Sequence, residues 1–171
     1  MIKKSVLLIV PAQNFNEEEY LIIKNSLERS GVAVFIASDS NFLCVGSNGL
    51  KIKNDVQLYN IHESNFNGLI LVGGSGMREY WNNGAIQNAS KKFAANKKPV
   101  AAICSAPIIL ARAGILTGNA ACYPDDKNDL EREGINYSSV PVVTQKNIIT
   151  AQNPAATPEF MKAFLYELLK N

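Results

Sequence analysis

Short, unbroken apolar runs alternate along the chain with longer stretches of helical periodicity. Val6-Leu7-Leu8-Ile9-Val10 shows no polar alternation, which suits a strand covered on both faces. Residues 15–30 carry Tyr20, Ile23 and Leu27 at helical spacing and predict a helix closed by Gly31. Residues 32–37 form a second buried run. Leu50-Lys51-Ile52-Lys53 alternates, predicting a half-exposed strand or hairpin arm after the turn residues Ser47-Asn48-Gly49. Residues 69–72 predict a third buried strand that runs into Gly73-Gly74-Ser75-Gly76. A helix over about 78–96 follows, broken by Lys97-Lys98-Pro99. Residues 100–103 predict a fourth buried strand, 105–113 a helix stopped by Gly114, and 140–143 and 148–151 two short strands. A helix over 159–170 closes the pattern.

This βαβ alternation predicts an α/β fold: a three-layer α/β/α sandwich on a mainly parallel sheet. Neither repeat nor linker interrupts it, so residues 1–171 are expected to form one domain. Ligands of such sheets bind beyond the carboxyl ends of the strands. That rule selects the loop after Val10, the glycine loop after Val72, and Cys104 after Ile103.

Composition narrows the classes. The 171 residues are 47% hydrophobic and 19% charged, an ordinary globular profile. A net charge of +2 gives no reason to expect nucleic acid. No apolar run approaches the ~20 residues of a membrane span. The apolar start at 5–10 is too short for a signal peptide and meets Glu17-Glu18-Glu19 soon after, so a cytoplasmic location is expected. Three cysteines without a CxxC do not make a disulfide framework; Cys44, Cys104 and Cys122 read as reduced thiols. No metal site and no cofactor are expected.

Cys104 lies where a buried strand hands over to a helix. A sharp turn there exposes a nucleophile and aims the following N–H groups at a developing anion. Ser105 and Ala106 are small enough for a tight turn, and Pro107 suits a first helical turn. A helix N-terminus would lower the thiol pKa. The competing reading is a small apolar core residue. Gly73-Gly74-Ser75-Gly76 has neither nucleotide-binding spacing; it reads as an oxyanion hole using the N–H of Gly74 with that of Ser105, or as a plain turn. Glu17, Glu18 and Glu19 suit a helix start. One of them facing Cys104 would be held protonated by burial and by the neighbouring charge. Glu19 shares a face with Ile23, which mildly favours it.

Together these segments resemble the DJ-one/ThiJ/PfpI superfamily, a flavodoxin-like branch of the class-I glutamine-amidotransferase-like fold. The resemblance rests on Phe15-Asn16-Glu17-Glu18-Glu19, Ala37-Ser38, Gly49-Leu50-Lys51-Ile52 with Asp55, and residues 66–74. It continues through residues 98–104 with Pro107, and through residues 113–118. It implies that Cys104 is the elbow nucleophile, Glu19 its paired carboxyl, and Gly74 and Ser105 the oxyanion donors. It also implies a homodimer. Gly73, Tyr123, Asn153 and Pro154 are expected to line the site.

The chain departs from that family at histidine. Protease-like members place it directly after the nucleophile, where this chain has Ser105; others supply it from a loop matching Cys122-Tyr123-Pro124, where Tyr123 stands. The one histidine, His62, precedes a strand while Cys104 follows one. It should therefore lie at the other end of the sheet, at least ~15 Å away. Ala156-Thr157-Pro158-Glu159 has Thr where an amidotransferase base would be and reads as a helix start. Without a histidine to protonate a leaving amine, peptide hydrolysis is disfavoured. The expectation is thiol–carboxyl chemistry on small reactive aldehydes or their adducts, of the glyoxalase or deglycase kind. The alternative is a redox sensor or stress-protective protein using Cys104 oxidation. A peptidase or amidase ranks last and would need His62 from a partner subunit.

Overall fold

The computed structural model describes residues 2–170. Its strands are β1 (Ser5–Ile9), β2 (Gln13–Phe15), β3 (Ala33–Ser38), β4 (Leu43–Gly46), β5 (Lys51–Lys53), β6 (Val56–Gln57), β7 (Gly68–Leu71), β8 (Val100–Ile103), β9 (Asn119–Ala120), β10 (Asn136–Tyr137), β11 (Val142–Gln145) and β12 (Ile148–Ala151). The helices are α1 (Glu17–Arg29), α2 (Gly84–Ala95), α3 (Pro107–Arg112), α4 (Lys127–Arg132) and α5 (Thr157–Leu169). The main sheet runs β11-β12-β8-β7-β1-β3-β6, and only the β11–β12 pair is antiparallel.

The unbroken apolar runs serve two cores at once, because successive side chains of a strand point to opposite faces. Val6, Leu8 and Val10 join Ile23 and Leu27 of α1 and Phe160 and Phe164 of α5. Leu7 and Ile9 join Ile86 and Phe93 of α2, Ile108 to Leu110 of α3 and Leu130 of α4. The expected three-layer, flavodoxin-like α/β/α sandwich follows, with helices on both faces.

Several boundaries differ from the sequence expectation. The helix expected over 78–96 is two pieces, a 3-10 turn at Ser75–Tyr80 and α2 from Gly84. Asn83 caps α2, its Oδ1 accepting the Ile86 N–H, so the chain stops and restarts there. Phe15 belongs to β2, which pairs with β4 in a small separate sheet. The predicted hairpin arm is β5, antiparallel to β4, with Gly49 at φ +91° in the turn. The last strand pair begins at Val142, and α5 starts earlier than expected, at Thr157. The two-residue strands β6, β9 and β10 are too short to leave a periodic signal, and α4 follows a polar segment with little pattern. Among the described residues no helix is long and apolar enough to cross a membrane.

Candidate active site

β8 delivers Cys104 to the carboxyl end of the sheet. Its backbone sits at φ +64°, a region a non-glycine residue with a side chain seldom enters. The strained turn is clamped on both sides. Cys104 N–H donates to the Ala151 carbonyl (3.0 Å), and the Cys104 carbonyl accepts the Tyr123 N–H (2.7 Å). Pro107 opens α3, as its fixed φ allows.

Glu19 is fully buried in the first turn of α1, while Glu18 is exposed and Glu17 reaches away to the β4–β5 turn. Its Oε1 accepts the Gly73 N–H (3.1 Å), and the carboxyl interacts with the Cys104 thiol. Oε2 is buried and has no partner in good hydrogen-bonding geometry. Burial pushes the carboxyl up to about 8, overcoming the opposing pull of the Gly73 N–H and of the thiol. Glu19 is therefore predominantly a neutral acid at pH 7.

The thiol corrects an expectation. Burial pushes Cys104 up to about 12, with the Glu19 charge adding to the rise. The N–H groups of Gly74 and Ser105, both directed at the sulfur, pull it back but do not prevail. The helix dipole does little here, because α3 has only 6 residues and starts beyond Cys104, whereas Cys104 is only 7% exposed. Thiol and carboxyl form one coupled unit, since an ionised Glu19 makes the thiol harder to ionise.

The glycines are sterically required. A Cβ on Gly73 would stand 2.5 Å from the Cys104 Cβ and 2.6 Å from Glu19 Oε1, and one on Gly74 would strike the backbone of residues 14–16. Ser105 Oγ donates to the Gly74 carbonyl (2.7 Å), and Trp81 Nε1 donates to the Ser105 carbonyl (2.7 Å). These bonds hold the peptide units just after Gly74 and Ser105; the units that carry the Gly74 and Ser105 N–H groups are held through their own carbonyls, Gly73 accepting the Asn16 N–H (2.9 Å) and Cys104 the Tyr123 N–H.

A cavity of about 260 Å³ opens over the sulfur. Of the expected lining residues Tyr123 and Pro154 face it, together with Gly74 and Ser105, expected as oxyanion donors. Gly73 lies behind it, wedged between Glu19 and Cys104, and Asn153 instead caps a turn by accepting the Ala156 N–H. Asn16, Ser75 and Arg78 also line the cavity and were missed by the sequence reading. Arg78 is fixed by Asp126, 48 positions away, through Nε (2.9 Å) and Nη2 (3.3 Å). A basic residue just after a glycine-rich strand-end loop was the available signal for Arg78; nothing local marked Asp126. His62 is exposed before β7 and bonded to Asn60 (3.2 Å), away from the cavity. Cys44 and Cys122 are buried in the two cores. Among the described residues, no three or more His, Cys, Asp or Glu side chains cluster to hold a metal ion.

The sequence profile of the DJ-1/PfpI family matches residues 4–167. The chain belongs to the DJ-1/PfpI family. A DJ-1/PfpI relative, a deglycase of Pyrococcus horikoshii, is 30% identical over 95% of this chain and 98% of its own. A glutathione-independent glyoxalase of Caenorhabditis elegans is 27% identical, over 92% and 85%. The crystal structure of a ThiJ/PfpI domain protein from Brachyspira murdochii superposes with a TM-score of 0.95 at 29% identity, covering 99% of each chain. The mainly parallel sheet with helices on both faces is thus that of a DJ-1/PfpI protein.

Proposed function

We propose that the protein adds small reactive aldehydes to Cys104, in glyoxalase- or deglycase-like chemistry. The observation that carries this reading is the buried, neutral Glu19 carboxyl against the Cys104 thiol, beside two aligned N–H groups. In the first step a bond forms between sulfur and the carbonyl carbon as the C=O π bond breaks. The thiol proton passes by way of the Glu19 carboxyl to the carbonyl oxygen, giving a hemithioacetal. The N–H groups of Gly74 and Ser105 meet the charge developing on that oxygen. A free thiolate is not required, because sulfur loses its proton as the new bond forms. The names of the deglycase and glyoxalase relatives support the general class. Replacing Cys104 with Ala is expected to abolish methylglyoxal turnover, measured as loss of the dicarbonyl against a no-enzyme control; undiminished turnover would overturn the proposal.

A second reading, oxidation of Cys104 by peroxide, draws on the same neutral carboxyl, which could hydrogen-bond a sulfinate. The raised thiol pKa opposes it, since peroxide reacts with thiolates. A peptidase reading ranks below both because His62 lies away from the cavity.

A further inference from the structure

Asp126 and Arg78 form an asymmetric ion pair at the mouth of the Cys104 cavity. The Asp126 side chain is 4% exposed and that of Arg78 37%. Asp126 occupies Nε and Nη2, the edge of the guanidinium turned into the protein. A guanidinium has five N–H donors, so the Nη1 end remains for a ligand. The guanidinium carbon sits 5.7 Å over the Tyr123 ring, which fixes its plane as well as its edge. Arg78 is the one charged side chain among the residues that line the cavity; the others are neutral and several carry donor groups.

Overall charge does not decide what this site prefers, because the pair is neutral as a whole. Geometry decides it. A ligand entering the cavity meets the positive end, while the compensating carboxylate lies buried behind. The Asp126 bonds also remove most of the ordering cost that a free arginine would incur on gripping a ligand. Glu19, the nearest carboxyl to the sulfur, adds no repulsion while it is neutral.

We infer that Arg78 makes the Cys104 cavity selective for carbonyl compounds that carry an anionic oxygen group, a carboxylate or phosphoryl, close to the reacting carbon. The inference rests on the nucleophilic reading of Cys104 and assigns that site its substrate class.

Two alkylating reagents of nearly equal size test it, iodoacetate carrying a carboxylate and iodoacetamide a neutral amide. Each forms a thioether at sulfur and releases iodide, and the modified Cys104 peptide is followed by mass spectrometry over time. The ratio of the two rates cancels any shared change in thiol reactivity and isolates the effect of reagent charge. For the wild-type protein the ratio of the iodoacetate rate to the iodoacetamide rate at Cys104 should exceed the same ratio for a free thiol such as glutathione. Arg78→Met should lower the iodoacetate rate about tenfold, the size of one charge-assisted hydrogen bond, while the iodoacetamide rate holds. That second rate also reports whether the variant keeps its folded site. Arg78→Lys should fall between. An unchanged ratio in Arg78→Met, or a wild-type ratio no higher than that of free glutathione, would overturn the anion subsite alone. Undiminished methylglyoxal turnover by Cys104→Ala would overturn the nucleophilic reading and this inference with it.

Discussion

Three consecutive glutamates end in three environments. Glu17 Oε2 accepts the N–H groups of Asn48 (2.5 Å) and Leu50 (3.1 Å), tying α1 to the β4–β5 turn. Glu18 points to solvent, and Glu19 is buried against Gly73 and Cys104. The sequence placed all three in a first helical turn but only weakly ranked them, because the partner of each is remote in the chain. The burial of Glu19 has a pH signature. Its folded pKa of about 8 lies above the ordinary value of 4.5. The folded state therefore keeps a proton that the unfolded chain releases, and this contribution to stability is lost as pH rises from about 4.5 to about 8. The loss approaches about 1.4 kcal/mol per pH unit inside that window. Urea unfolding of the wild type against Glu19→Gln should show the wild type losing ground between those limits, and a pH-independent difference would contradict the buried neutral acid. The proposed addition should weaken over the same upper limb. Once ionised, Glu19 has no proton to deliver and makes the thiol a poorer donor. The wild-type rate on methylglyoxal is thus expected to fall above about pH 8.

At the scale of elements, legibility followed periodicity and length. β1, β7 and β8 are unbroken apolar runs and are readable as buried strands, β12 reads only as a short strand because Thr150 interrupts it, and α1 is readable from its 3.6-residue spacing. The region 78–96 was misread because residues 75–80 share helical composition with α2; the break lies at Asn82-Asn83-Gly84, where an Asn cap restarts the helix. The elbow was readable because strand, small residues and Pro107 are contiguous. The Arg78–Asp126 pair was not, because it joins two short 3-10 turns across the fold. The glycine loop shows how tightly these elements meet. Gly74 has φ +126°, and its α-carbon faces the Asn14 carbonyl and the Asn16 N–H. Gly74→Ala therefore combines an unfavourable backbone region with a backbone collision. It should destabilise the protein by more than about 2 kcal/mol, read as a lower urea midpoint with an unchanged slope. A neutral result would mean that the loop can shift away from β2 at little cost.

Across the whole molecule, the parallel sheet gives the protein two chemically distinct ends. Strands β1, β7 and β8 all run toward the end that holds Glu19, Gly74 and Cys104, and the connections into β7 lie at the other. His62 is on one of those connections, exposed and bonded to Asn60. Crossing the four residues of β7 already takes roughly 13 Å, well beyond the reach of a hydrogen bond. Within one subunit, then, no imidazole reaches Cys104, and the carboxyl that interacts with its thiol is that of Glu19. A base supplied by another copy of the chain remains the only route by which this histidine could act, and it makes an opposite prediction. If Glu19 alone handles the proton, His62→Asn should leave kcat/KM on methylglyoxal within about twofold of wild type. If a partner's imidazole is the general base, the same substitution should cost on the order of a hundredfold or more. Measuring both variants at matched oligomeric state separates the cases, with Glu19→Gln as the complementary arm: it should lose most of the activity in the first case and retain it in the second.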